Sequence, residues 1–182
     1  MMQALDENRM TSRPAATATG LEAVRAALAE KPDGVLESLA EAHSVRYRDV
    51  LDCLPHAQRL SAAPSALDSI WADVTTWGPI MFIVHTRNGV FETKGPLPPG
   101  SHGRGYFNIH GDSPIGGHIN VSRCVRIYFI DRIFFGRRSC SLQFIDSDGE
   151  AMFKIFVGRD SARELLPHQV ARFEALRTAQ AG

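Results

Sequence analysis

The sequence predicts an α+β chain: N-terminal helices, then an antiparallel meandering β-sheet, then a C-terminal helix. Three observations predict it. Apolar residues recur at helical spacing up to about residue 75. From residue 79 the pattern changes to short apolar strands separated by Gly, Asn, Asp and Pro turns. After Pro167 helical spacing returns, with Val170, Phe173 and Leu176 in line.

Residues 1–19 are rich in Ala, Thr and Ser without periodicity, and read as a disordered tail. A helical segment over 20–60 is expected to pack on the core. Leu21, Val24 and Leu28 share one face, "KPDG" breaks the run, and "VLESLAEAHSVRYRDVLDCLP" has the shape of a helix-turn-helix. Residues 31–54 hold three basic residues (Lys31, Arg46, Arg48) against five acidic ones. An acidic module is badly placed to neutralise phosphates, so packing is favoured over DNA binding.

The antiparallel sheet domain is expected over 61–182. It begins with the linker "SAAPSA" and a helix whose stripe is Leu67, Ile70, Trp71 and Val74. "IMFIVHT" and "VFETKG" flank Arg87-Asn88-Gly89, a hairpin signal because Asn and Gly tolerate positive φ. "PLPPGSHGRG" reads as a loop, and "YFNIHG", "HINVSRC", "VRIYFIDRIFF", "SCSLQFID" and "AMFKIFVG" read as strands. Two of these strands are apolar on both faces, so the sheet should be covered on both sides. Asp160 is placed to cap a short helix over "SARELL".

Composition narrows the function. Twenty basic residues balance twenty acidic ones, which argues against a general electrostatic affinity for nucleic acid or anionic membrane. No apolar stretch reaches the roughly 18 residues that span a bilayer. The N-terminus lacks the apolar region of a secretory signal, so a cytoplasmic protein is expected. Three cysteines without CxxC spacing suit reduced thiols rather than a disulfide framework or zinc site. P-loop, GxGxxG, GxSxG and HExxH motifs are absent from the sequence.

Two of the seven histidines stand out. His85 ends the apolar run Ile80-Met81-Phe82-Ile83-Val84, and His118 follows a glycine turn beside Ile115, Ile119 and Val121. Such a mixture describes a slot for a flat apolar ligand with a metal centre. Heme iron takes an axial His or Tyr, and its propionates want Arg or Lys. Tyr106 is a further axial candidate, with Arg104 two residues away; Arg123, Arg137 and Arg138 are other cations.

The run "GPIMFIVHTRNGVFETKGPLPPGSHGRGYFNI", then "GGHI", then "GEAMFKIFVGRDSARELLPHQVARF" resembles the ChuX/HutX-type family of cytosolic heme-utilisation carrier proteins. With "KPDGVLESLAEAHSVRYRDVLDCLP", the resemblance covers most of residues 30–175. It implies a HemS/ChuX-like fold and a homodimer arranged like the two halves of larger single-chain heme-handling proteins. It implies noncovalent heme binding in iron acquisition, with heme arriving from an importer and passing to a heme-degrading enzyme or other acceptor. His118, then His85, then Tyr106 are the expected iron ligands. The alternative is an enzyme that opens or reduces the tetrapyrrole, and a third class is a heme-responsive regulator using the helix-turn-helix.

Overall fold

The computed structural model describes residues 13–181. Residues 1–12 of the expected tail lie outside the described residues. Thr17 caps the first helix, α1 (Ala18–Glu30), by accepting a hydrogen bond from Gly20 N. Just before it, Ala16 N donates to Asp49 Oδ2 (3.1 Å) and Arg13 donates to the Val45 carbonyl (3.2 Å).

Helices α2 (Leu36–Ala42) and α3 (Tyr47–Cys53) form the expected helix-turn-helix shape. Their inward residues, among them Leu36, Ala40, Tyr47, Val50 and Leu51, join Val24 and Leu28 of α1 in one apolar cluster. Tyr128, Ile130 and Ile145 of the sheet complete that cluster, so the helices cover one sheet face. Arg46, at the start of α3, is clamped on Asp49 through two hydrogen bonds of 3.0 and 2.8 Å.

The main sheet has six antiparallel strands. They are β1 (Arg59–Ala62), β2 (Pro79–Thr86), β3 (Gly89–Pro96), β7 (Cys124–Phe134), β8 (Arg137–Asp146) and β9 (Ala151–Phe156). Their order is β1-β7-β8-β9-β2-β3. The last three sequence strands meander as expected, and the β2–β3 hairpin adds to β9. A second sheet orders β4 (Gly100–Gly103), β5 (Tyr106–Ile109) and β6 (Gly117–Ile119) in sequence.

Four local expectations are corrected. Arg59–Ala62 pairs with β7 just before the stretch read as a linker, whose first two residues it takes. "GSHG" is strand β4 rather than loop, because Gly100 lets the Phe107 ring approach where a Cβ would lie 2.1 Å from it. The β2–β3 hairpin forms without positive φ at Asn88 or Gly89. There the Thr86 hydroxyl holds the turn, accepting from Asn88 N (3.2 Å) and donating to the Gly89 carbonyl (3.3 Å). Finally, Asp160 caps a turn, accepting from Ala162 N and Glu164 N, and the helix begins only at Pro167.

The main sheet's other face packs on α4 (Leu67–Val74), α5 (Pro167–Ala179) and the small sheet. All four predicted stripe residues of α4 are buried. Trp71 joins the two sheets: its ring lies edge-on to Phe107 of β5 at 5.0 Å and to Phe153 of β9 at 6.0 Å. Its indole N–H donates to the Pro98 carbonyl (2.8 Å), so the buried polar atom is satisfied. Covering both faces lets the middle of β7, Ile127–Ile130, be apolar on both faces.

Candidate heme-ligating residues

Alternation along β5 decides what the small sheet shows to its surroundings. Phe107 and Ile109 turn into the core with Ile119 of β6. Tyr106, Asn108 and His118 therefore take the opposite, outward face, with Asn108 directly across from His118. Tyr106 is 46% exposed, and its ring meets the His118 ring edge-on at 6.2 Å.

The His118 imidazole is oriented. Its Nδ1 lies 2.7 Å from Asn108 Oδ1. An amide oxygen only accepts, so Nδ1 carries a proton, and in the neutral ring the lone pair is on Nε2. The Asn108 amide is turned the right way because Nδ2 donates to the carbonyls of Ser101, Gly103 and Tyr106 (3.3, 3.1 and 3.4 Å). A neutral imidazole with its far nitrogen fixed in this way is what an iron ligand requires.

His85 lies on the main sheet. Along β2 it shares a face with Ile83, which pairs with Lys154 of β9, whereas Phe82 and Val84 point the other way. The face carrying His85 is the one the helices cover. Glu37, in the first turn of α2, places Oε1 3.0 Å from His85 Nδ1 and forms an ion pair with Lys154 through the same oxygen. Lys154 is buried and donates to the Tyr47 hydroxyl (2.8 Å), which donates to Gln143 Oε1 (2.7 Å). Burial raises the Glu37 carboxyl, but the charge and hydrogen bond of Lys154 outweigh it and hold the carboxyl below its ordinary value. Burial, with the Glu37 carboxylate nearby, pushes the Tyr47 hydroxyl well up.

Tyr106 and His118 are thus brought together, and His85 is not. Among the described residues no hydrogen bond, ion pair or ring contact joins His85 to either. Arg104 sits at the tip of the β4–β5 hairpin with φ +54°, followed by Gly105 at +82°. The other candidate arginines are engaged: Arg123 with Asp148, Arg137 with Glu164 (3.3 Å), and Arg138 with Asp131 and Glu174 (2.7 and 2.8 Å). A cleft of about 760 Å³ between the β7–β8 turn and α5 contains Arg137 and Arg138, but none of His85, Tyr106, Arg104 or His118. Among the described residues there is no cluster of three or more His, Cys, Asp or Glu side chains able to hold a metal ion, and all three cysteines are free. No helix among them is long and apolar enough to cross a membrane.

Asn108, Glu37 and Lys154 escaped the sequence reading. The alternation of "YFNI" was enough to place Asn108 beside Tyr106. Nothing local links Glu37 to His85, because that contact is made across the tertiary structure.

Residues 60–176 match the family described as haem utilisation ChuX/HutX. The chain belongs to that family. It is 34% identical, over 150 residues, to the intracellular heme transport protein HutX of Vibrio cholerae, covering 82% of this chain and 78% of that one. A crystal structure of a protein from Agrobacterium tumefaciens superposes with a TM-score of 0.82 at 47% identity, covering 89% and 92% of the two chains. The heme-binding protein ChuX superposes with a TM-score of 0.80 at 35% identity, covering 87% and 99%. The fold also recurs at 16% identity (TM-score 0.72) in PhuS, a heme-binding protein of Pseudomonas aeruginosa, where 89% of this chain covers 48% of the longer one.

Proposed function

We propose that this protein is a cytoplasmic heme carrier that holds imported heme noncovalently and hands it to a heme-degrading enzyme or other acceptor. The observation that carries the reading is the outward face of the small sheet. There Asn108 fixes the His118 tautomer, so that an Nε2 lone pair stands beside the Tyr106 ring on an accessible surface. Family membership supports the cargo, and the names HutX and ChuX carry heme transport and heme binding for two relatives. His118 is the first iron ligand in this reading, with His85 and Tyr106 as the further candidates. Arg104, the one candidate cation with no ion pair among the described residues, reaches for a propionate.

A carrier must release as well as bind. Neutral imidazole ligands on an open face suit that better than a closed metal cage. A homodimer fits the same reading, because a single chain leaves His85 apart from His118 and Tyr106. Strand β3 ends the main sheet with an unpaired edge and exposes Val90 (50%) and Phe91 (65%). The half-length match to PhuS is the ratio that two copies making one longer architecture would give.

Hemin titration followed by visible absorption tests the proposal, beside His118→Ala, His85→Ala and Tyr106→Phe. A saturable Soret shift altered by His118→Ala is expected, and a tyrosinate ligand would give a different ferric spectrum. Identical weak binding by all four proteins refutes the site. Incubation with a reductant separates carrier from enzyme: the carrier returns the tetrapyrrole intact.

A further inference from the structure

We propose that Glu37 is the positioning residue for His85, and that through it the N-terminal helices set how His85 meets heme iron. The inference rests on the carrier reading and adds a residue from outside the sheet. His85 Nδ1 stands 3.0 Å from Glu37 Oε1. An ionised carboxylate only accepts, so the imidazole gives its Nδ1 proton to that bond and turns the Nε2 lone pair away from Glu37. The His85 side chain is 27% exposed, which leaves its far nitrogen within reach of a ligand.

Glu37 is itself held. The oxygen that faces His85 also receives the Lys154 ammonium, which is 5% exposed. Lys154 is anchored to Tyr47 of α3, and Tyr47 to Gln143 of β8. The chain of contacts therefore runs from rigid sheet, through a buried cation, to one carboxylate oxygen on α2. Leu36 and Ala40 seat α2 on the sheet on either side of Glu37. A shift of α2 by an ångström or two would break the bond and free the His85 ring to rotate or change tautomer. Carboxylates in this outer position orient ligand histidines and raise their basicity.

The test uses the full chain. Nitrogen-15 NMR of the heme-free protein, at a pH where His85 is neutral, reads its tautomer directly. Wild type is expected to carry the proton on Nδ1. Glu37→Gln keeps that tautomer because its amide oxygen still accepts, whereas Glu37→Leu moves the proton to Nε2. Glu37→Leu combined with Lys154→Met serves as a second variant without a stranded buried cation, and should show the same change. Hemin affinity should fall about ten- to a hundredfold in Glu37→Leu, and should not fall further when Glu37→Leu is added to His85→Ala. An Nε2–H tautomer in wild type overturns the proposal, as does a Glu37→Leu effect that persists undiminished in the His85→Ala background. His85→Ala alone reads the carrier assignment of His85 separately: unchanged hemin binding there removes heme from the proposal even where the tautomer result holds.

Discussion

The two histidines are oriented by opposite means. His118 is held by a neutral amide on an exposed three-stranded sheet, and that amide is steered by three backbone carbonyls. His85 is held by a charged carboxylate that a buried lysine fixes beneath three helices. The local hairpin suffices for the first arrangement. The second needs residues from α2, α3, β2, β8 and β9 to assemble. The difference teaches where each site is vulnerable: the His118 site to local change, the His85 site to anything that disturbs helix docking.

The largest expected effect therefore lies at Glu37. Glu37→Ala strands the Lys154 ammonium, 5% exposed, without its partner. Leaving an uncompensated buried charge should lower stability by about 3 kcal/mol. Asn108→Ala should lower it by only about 1 kcal/mol, since its hydrogen bonds are near solvent. Urea unfolding of the two variants measures the gap, and equal losses would erase the contrast.

The gap narrows for ligand binding, because Asn108 orients His118, the first-choice ligand. Asn108→Ala should weaken hemin by about tenfold, the lower end for loss of an outer-shell partner. Asn108→Asp, which keeps an acceptor, should restore most of it. Hemin titrations of the pair decide this, and an unaffected Asn108→Ala would demote the amide to a hairpin strut.

Acid should separate the sites as well. The Glu37 carboxyl is held below 4.5, its unperturbed value, because Lys154 outweighs the effect of burial. A carboxyl whose folded value is depressed gives stability that is full above the unfolded value. That stability is lost as pH falls through the folded one. Wild-type stability should therefore decline below about pH 4.5, and Glu37→Gln should flatten that decline. Asp131 and Asp49, also held low by arginines, add to the acid limb in both proteins. The His118 site, with a neutral amide partner, contributes no carboxylate to it. Thermal melts across pH 3–6 of wild type and Glu37→Gln make the comparison.

How much was legible in the sequence follows the same divide. The α4 stripe, the meander, the β8–β9 turn and the terminal helix obey local periodicity and turn chemistry, and each formed. Strand β1 was missed because its alternation, Arg59-Leu60-Ser61-Ala62, lasts only four residues and runs into the Ala/Pro/Ser stretch, and pairing with β7 makes it a strand. Strand β4 was hidden by two glycines. The apolar neighbours Phe82 and Val84 suggested a wall for His85, yet strand parity sends them to the other face. His118 and Tyr106 came together because both sit in one short hairpin region. The Glu37–His85 contact spans 48 positions of sequence, and only the docking of α2 creates it.

The smallest effect isolates ligand binding from folding. Arg104 occupies a left-handed backbone position (φ +54°), which a long side chain adopts less readily than Asn or Gly. Together with Gly105 it makes the tight turn that sets β5 in register with β4. Arg104→Asn should therefore leave the hairpin unchanged or stabilise it by a few tenths of a kcal/mol. If Arg104 meets a propionate, the same substitution should weaken hemin a few-fold, with the loss shrinking at high salt. Opposite signs in melting temperature and affinity would mean that the arginine is kept at a strained position for its charge. A gain in stability with unchanged affinity would leave His118, Asn108 and Tyr106 as the whole of the exposed site.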